Sequence, residues 1–104
     1  MELGKVYICR FPFTDGSMSK SRPAVVLFDV GDDVVICRVT SKERDGQLDV
    51  NLTEWKQVRL ERPSVARLDR LVTASKDTLT SHLGQLSAAD AESLRSAWNK
   101  KMRL

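Results

Sequence analysis

The sequence predicts a mainly β chain that ends in helix, the α+β class. Short apolar runs of strand length, separated by clusters of Gly, Asp, Ser and Pro, fill the chain up to Thr73. Beyond Ser75 the apolar spacing changes from two to three or four. Strands first and helices last, within 104 residues, describe one compact unit over residues 1–104.

Val6 to Phe11 mixes apolar and aromatic residues and ends at Pro12, which reads as the first strand. Thr14 to Ser21 is a turn-rich exposed loop. Ala24 to Phe28 and Val34 to Thr40 are apolar runs joined across Val30-Gly31-Asp32-Asp33, and they predict a central hairpin. Ser41 to Gln47 is a second polar loop, followed by strict alternation of Leu48, Val50 and Leu52 in a half-buried strand. Val65 to Leu68 and Leu71 to Thr73 read as one bent or bulged strand crossing a small barrel. Ser75 is placed to cap a short helix to Leu83, with Leu79 and Leu83 on one face and Gly84 as its stop. Ser87 and Asp90 form a variant capping box for a last helix, whose Ala91, Leu94, Trp98 and Met102 make an apolar stripe.

Hydrophobic residues make up 41 % of the chain and charged residues 30 %, a balance that excludes disordered and fibrous classes. No apolar run approaches the roughly 20 residues that cross a bilayer. The start also lacks the basic-then-apolar pattern of a signal peptide, so a cytoplasmic protein without membrane contact is expected. The net charge of +3 permits nucleic acid as a partner without demanding it. Cys9 and Cys37 stand alone in apolar stretches and read as reduced core thiols. With one histidine they do not make an ordinary zinc site, and no metal or cofactor is expected.

Short motifs follow one another along nearly the whole chain. Leu3-Gly4-Lys5-Val6 leads the first strand, and Lys20-Ser21-Arg22-Pro23-Ala24-Val25-Val26-Leu27 follows the first loop. Arg38-Val39-Thr40-Ser41 closes the third strand, and Leu60-Glu61-Arg62-Pro63-Ser64-Val65 comes before Arg67 and Asp69. Leu83-Gly84-Gln85-Leu86-Ser87 precedes the final helix. In this order and spacing the chain resembles the MazF and PemK toxins of bacterial toxin–antitoxin systems. The resemblance implies a small SH3-like β-barrel, a homodimer, cleavage of single-stranded mRNA without metal, and neutralisation by a cognate antitoxin.

Such cleavage uses the substrate's own 2′-hydroxyl as nucleophile, so the protein has to supply a proton acceptor, charge stabilisation and a leaving-group donor. Arg22 precedes a buried strand, which puts its guanidinium at the rim where it can grip a phosphate, and it matches a catalytic arginine of the family. The plain alternative is an ion pair with a loop acid. Thr40 matches the family's strand-end threonine, whose hydroxyl bonds the phosphate or orients the attacking group; threonine is also common in strands without any such role. Arg67 and Asp69 match an acid–base pair in one branch of the family and equally suit an ordinary same-face ion pair. That branch has a histidine in the first loop where this chain has Ser17 and Met18, so the Arg22 and Thr40 version is preferred.

RNA contacts are expected from Ser17, Lys20, Ser41, Lys42, Arg44, Arg59 and Arg62, since the two loops set specificity and Arg59 to Arg70 is rich in positive charge. Trp55 is open to stacking an unpaired base, receiving the antitoxin, or packing. Phe13 is a candidate for an antitoxin groove or for the core, and His82 for a surface or helix-end place. Two further functions remain open from the sequence: a toxin of this fold that inhibits DNA gyrase by binding, and a relative that binds RNA without cutting it.

Overall fold

The apolar runs of the first four fifths of the chain fold as six antiparallel strands in one sheet. The computed structural model describes residues 2–12 and 19–104. In chain order the strands are β1 (Lys5–Pro12), β2 (Ser19–Val30), β3 (Asp33–Thr40), β4 (Asp49–Leu52), β5 (Ser64–Ser75) and β6 (Leu79–Gln85), and the helix α1 (Ala88–Lys101) follows. Across the sheet they run β4-β5-β3-β2-β1-β6. The central β2–β3 hairpin turns where expected: Gly31 takes a φ of 85°, which side chains disfavour, and its N–H donates to Asp29 Oδ1 at 3.1 Å.

Two apolar clusters occupy opposite faces of the sheet, as the pleat of nearly continuous apolar strands requires. The larger joins Val6, Val25, Leu27, Cys37, Val39, Val50, Leu52, Ala66 and Leu68 to Leu94 of α1. The smaller joins Cys9, Ala24, Val26, Val34 and Ile36. Both cysteines are free and buried, as the sequence suggested, and burial pushes the Cys37 thiol up to about 12.

The bent strand is present as β5. Its pairing with β3 jumps from Cys37–Leu71 to Arg38–Arg67, so residues 68–70 have no partner on β3. Leu68 instead donates its N–H to Leu48 O at 2.8 Å, and up to Arg67 the strand pairs with β3 and β4 at once. The bulge is what lets β5 leave β4 and continue along β3.

Three expectations are corrected. The helix from Ser75 to Leu83 is absent. Ser75 does cap, accepting the Asp77 N–H at 3.3 Å, but only for the single 3₁₀ turn Lys76–Thr78, after which β6 pairs with β1. His82 therefore sits on a strand, its ring 4.8 Å from that of Tyr7. The barrel is not closed, because β4 and β6 at the two edges do not pair. Residues from both edges nevertheless reach the larger cluster, Val50 and Leu52 from β4 and Leu83 from β6, so the sheet curls round one core without completing the ring. The first loop is shorter than Thr14 to Ser21, since β2 already begins at Ser19, and Phe13 and Ser17 lie outside the described residues.

Helix α1 begins at Ser87, whose Oγ accepts the Asp90 N–H at 3.1 Å. Asp90 does more than complete the cap. Its carboxylate is buried and accepts from Thr53 N–H at 2.9 Å, Thr53 Oγ1 at 2.7 Å and Glu54 N–H at 2.9 Å. Burial pushes this carboxyl upward, but the bonds from Thr53, Glu54 and Ser87 outweigh it and hold it below the ordinary aspartate value.

Candidate active site

Two neighbouring strands carry the centre of the site. Ala24 of β2 faces Arg38 of β3, and one step outward on the same face, past the last paired residues, stand Arg22 and Thr40. All but Ala24 line an open cavity of about 530 Å³ together with Ser41, Lys42, Arg59 and Arg62. Ile8, Pro23, Val39, Leu60 and Leu83 supply its apolar wall, and Glu61 is the carboxylate among the lining residues. An excess of guanidinium and ammonium groups around a partly apolar floor suits an anion with an organic part.

Arg22 is half-buried, and its Nη1 donates to the carbonyl of Ser21 at 3.1 Å. No carboxylate among the described residues pairs with it, so its remaining donors are directed to whatever enters the cavity. Thr40 Oγ1 accepts the N–H of Lys42 at 3.2 Å. That bond fixes the first turn of the second loop and leaves the hydroxyl proton of Thr40 available to a ligand oxygen.

The far rim is built by the segment between β4 and β5. A 3₁₀ turn, Trp55–Val58, buries Val58, and Arg59 after it takes a φ of 57°. Leu60 N–H then donates to Trp55 O at 3.2 Å, and Ser64 Oγ donates to Arg62 O at 2.8 Å. These local bonds hold Arg59 and Arg62 at the cavity edge. Trp55 is itself half-buried against the larger core, with Lys56 Nζ 5.4 Å from its ring centre.

The remaining candidates lie apart from this cavity. Arg67 and Asp69 form an ion pair at 3.3 Å on β5 and are not among the lining residues, although Arg67 directly faces Arg38. Arg44 is engaged with Asp49 at 3.2 Å and lines a second cavity, which shares Ser41, Lys42, Arg62 and Ser64 with the first. Lys20 is exposed on β2 and lines neither. Lys101, at the end of α1, donates to Gln47 O at 2.8 Å and so tethers the end of the second loop.

Arg38 is the residue that the sequence reading passed over. Within the apolar run Val34 to Thr40 its charge stands out, and it lies two residues before Thr40, hence on the same face. Burial, followed by the charges of Arg22, Arg67 and Arg70, lowers its pKa from the ordinary arginine value.

Comparison with curated proteins yields no match. Among solved structures, an endoribonuclease in complex with its cognate antitoxin, from a mycobacterial species, superposes with a TM-score of 0.77 at 21 % identity, covering 95 % of this chain and 91 % of that one. The Mycobacterium tuberculosis toxin MazF-mt6 gives 0.74 at 23 % identity, covering 91 % and 93 %. MazF of a MazE–MazF structure from Deinococcus radiodurans gives 0.67 at 20 % identity, covering 97 % and 92 %. At these identities the likeness establishes the curled six-stranded fold with its C-terminal helix. The profile of the PemK-like, MazF-like toxins of type II toxin–antitoxin systems matches residues 2–101, and the chain belongs to that family.

Proposed function

We propose that this chain is a sequence-specific endoribonuclease toxin. It cleaves single-stranded mRNA in the cytoplasm without a metal ion, leaves a 2′,3′-cyclic phosphate and a 5′-hydroxyl, and is neutralised by a cognate antitoxin. The observation that carries the reading is the convergence of Arg22 and Thr40, from adjacent strands, on one cation-rimmed cavity. The 2′-hydroxyl gives up its proton to water as its oxygen attacks the neighbouring phosphorus, the bond from phosphorus to the 5′-oxygen breaks as that oxygen takes a proton from water, and the phosphate gathers negative charge in between. Arg22 stabilises that charge with its free donors, and the Thr40 hydroxyl bonds a phosphate oxygen. Arg67 and Asp69 bond to each other at 3.3 Å and lie outside the cavity lining, which favours the version centred on Arg22 and Thr40.

Ser41, Lys42, Arg59 and Arg62 extend the charge away from the centre and take the flanking phosphates. Homodimerisation is part of the same proposal. Phe28, Val30 and Leu71 are exposed apolar side chains that such a contact would cover. An acidic antitoxin segment is expected across the same cationic rim.

The test is incubation of the purified chain with a long single-stranded RNA in excess EDTA, beside folded Arg22→Ala and Thr40→Ala proteins, with the fragment ends mapped. Cutting at one short motif with cyclic-phosphate ends, reduced about 10²- to 10³-fold in Arg22→Ala, is the expected result. Intact RNA with the unaltered protein overturns the reading and turns attention to gyrase inhibition, read in a supercoiling assay.

A further inference from the structure

Arg38 is half-buried on a central strand, between the fully buried Ile36 and Thr40 on its own face. Its Nε is buried and has no hydrogen-bond partner among the described residues, and the same holds for Nε of Arg67, which faces it from β5. Among the described residues no carboxylate lies within ion-pair distance of Arg38; the nearby Asp69 is bonded to Arg67. Arg22, Arg67 and Arg70 all lie close enough for their charges to act on it. A half-buried guanidinium with its Nε out of water, among like charges and with no counter-ion among the described residues, raises the energy of the empty site. That energy is recovered when an anion enters, and recovered most when the anion carries the greatest charge.

A phosphodiester carries one negative charge, whereas the pentacoordinate state on the way to a cyclic phosphate approaches two. Arg22 and Arg38 belong to adjacent strands, spaced roughly 5 Å apart in a sheet, and both open into the same cavity. We propose that Arg38 is a second catalytic arginine, clamping a non-bridging oxygen of the scissile phosphate beside Arg22 and bonding it most strongly in the transition state. Arg38 keeps its protons throughout: the 2′-oxygen to phosphorus bond forms with the 2′ proton passing to water, the phosphorus to 5′-oxygen bond breaks with water protonating the 5′-oxygen, and the guanidinium only donates hydrogen bonds. Mounted on a strand rather than a loop, it needs no rearrangement to do so. The proposal rests on the ribonuclease reading above.

The test compares the unaltered protein with Arg38→Ala and Arg38→Lys under single-turnover conditions. The substrates are an oligoribonucleotide carrying the motif mapped from long RNA and its two phosphorothioate diastereomers at the scissile position. Arg38→Ala is expected to lower the cleavage rate about 10²- to 10³-fold with KM within a few fold. Because sulfur weakens the contact to the guanidinium, the loss shrinks on one diastereomer and persists on the other. Arg38→Lys, which keeps the charge but not the fork, restores part of the rate. Thermal denaturation with inorganic phosphate supplies a readout apart from cleavage: phosphate raises Tm of the unaltered protein and does so less in Arg38→Ala, whose Tm without phosphate is not lowered. A rate within threefold of the unaltered protein, or an equal loss on all three substrates, overturns the role of Arg38 while the ribonuclease stands. An unaltered protein that cuts none of the RNAs overturns both.

Discussion

Asp90 shows how one residue joins two roles. Its N–H donates to the Ser87 cap of α1, and its carboxylate receives three bonds from Thr53 and Glu54. Its folded pKa lies below the unfolded value of about 3.9, so the stability it contributes is fully present above that value and is lost as the pH falls through the folded pKa. Asp90→Asn removes the charge that strengthens these bonds. It is expected to cost about 2 kcal/mol at neutral pH and to flatten the acid limb of the stability curve, checked by urea titration between pH 7 and pH 3. From the sequence, Asp90 was legible as a capping residue, because its partner Ser87 is three residues away. Its other partners lie 36 and 37 residues distant and leave no mark in the local pattern. Arg38 was missed for a related reason. β3 is buried on both faces, so alternation did not separate a face bearing arginine from a face bearing core, and Thr40 alone drew attention.

Among the elements, the strands declared themselves through apolar runs, and the kink in β5 through its interrupted pattern. The segment Ser75 to Leu83 misled, since Leu79 and Leu83, four residues apart, share a face in a helix and in a strand alike. What decides for strand is pairing with β1, a tertiary fact. Closure was likewise illegible, because whether two edges meet depends on the accumulated curl of the whole sheet. Gly84 follows from this arrangement. It lies on β6 at a φ of 150°, and a Cβ there would meet Gln57 O at 3.1 Å and Val58 Cα at 3.3 Å, both backbone atoms of the 3₁₀ turn that precedes Arg59. Gly84→Ala is expected to destabilise by about 1 to 3 kcal/mol and to weaken RNA binding along with stability, since the rim shifts with the turn. Thermal denaturation and filter binding on the same preparation check both.

Over the whole molecule a net charge of +3 conceals its distribution. Lys42, Arg59 and Arg62 gather at one cavity, while Arg44, Lys76 and Arg95 are tied to carboxylates elsewhere. The affinity for single-stranded RNA is therefore expected to fall linearly with salt on logarithmic axes, each phosphate contact contributing about 0.7 to the slope. Reversing Arg59 and Arg62 to Glu should flatten that slope by roughly the share of two contacts and weaken the acidic antitoxin in parallel, both read by titration across a salt series. Unchanged slopes would place the nucleic acid on another face. The class of the fold and the arginine and threonine at the strand ends were readable in advance. The convergence of those charges was not, because it depends on how β2, β3 and the segment before β5 are brought together.

The clasp between Asp90 and the Thr53–Glu54 amides has a dynamic consequence. Those amides belong to the segment that leads into the rim, yet their protection from solvent exchange depends on a side chain of the helix. Rim and helix are thus expected to open as one cooperative unit, read as matched exchange rates of the Thr53 and Glu54 amides and those of the first turn of α1. A perturbation that frays the start of α1 reaches the arginines of the rim without touching the cavity, and whatever steadies that helix steadies the cavity edge as well.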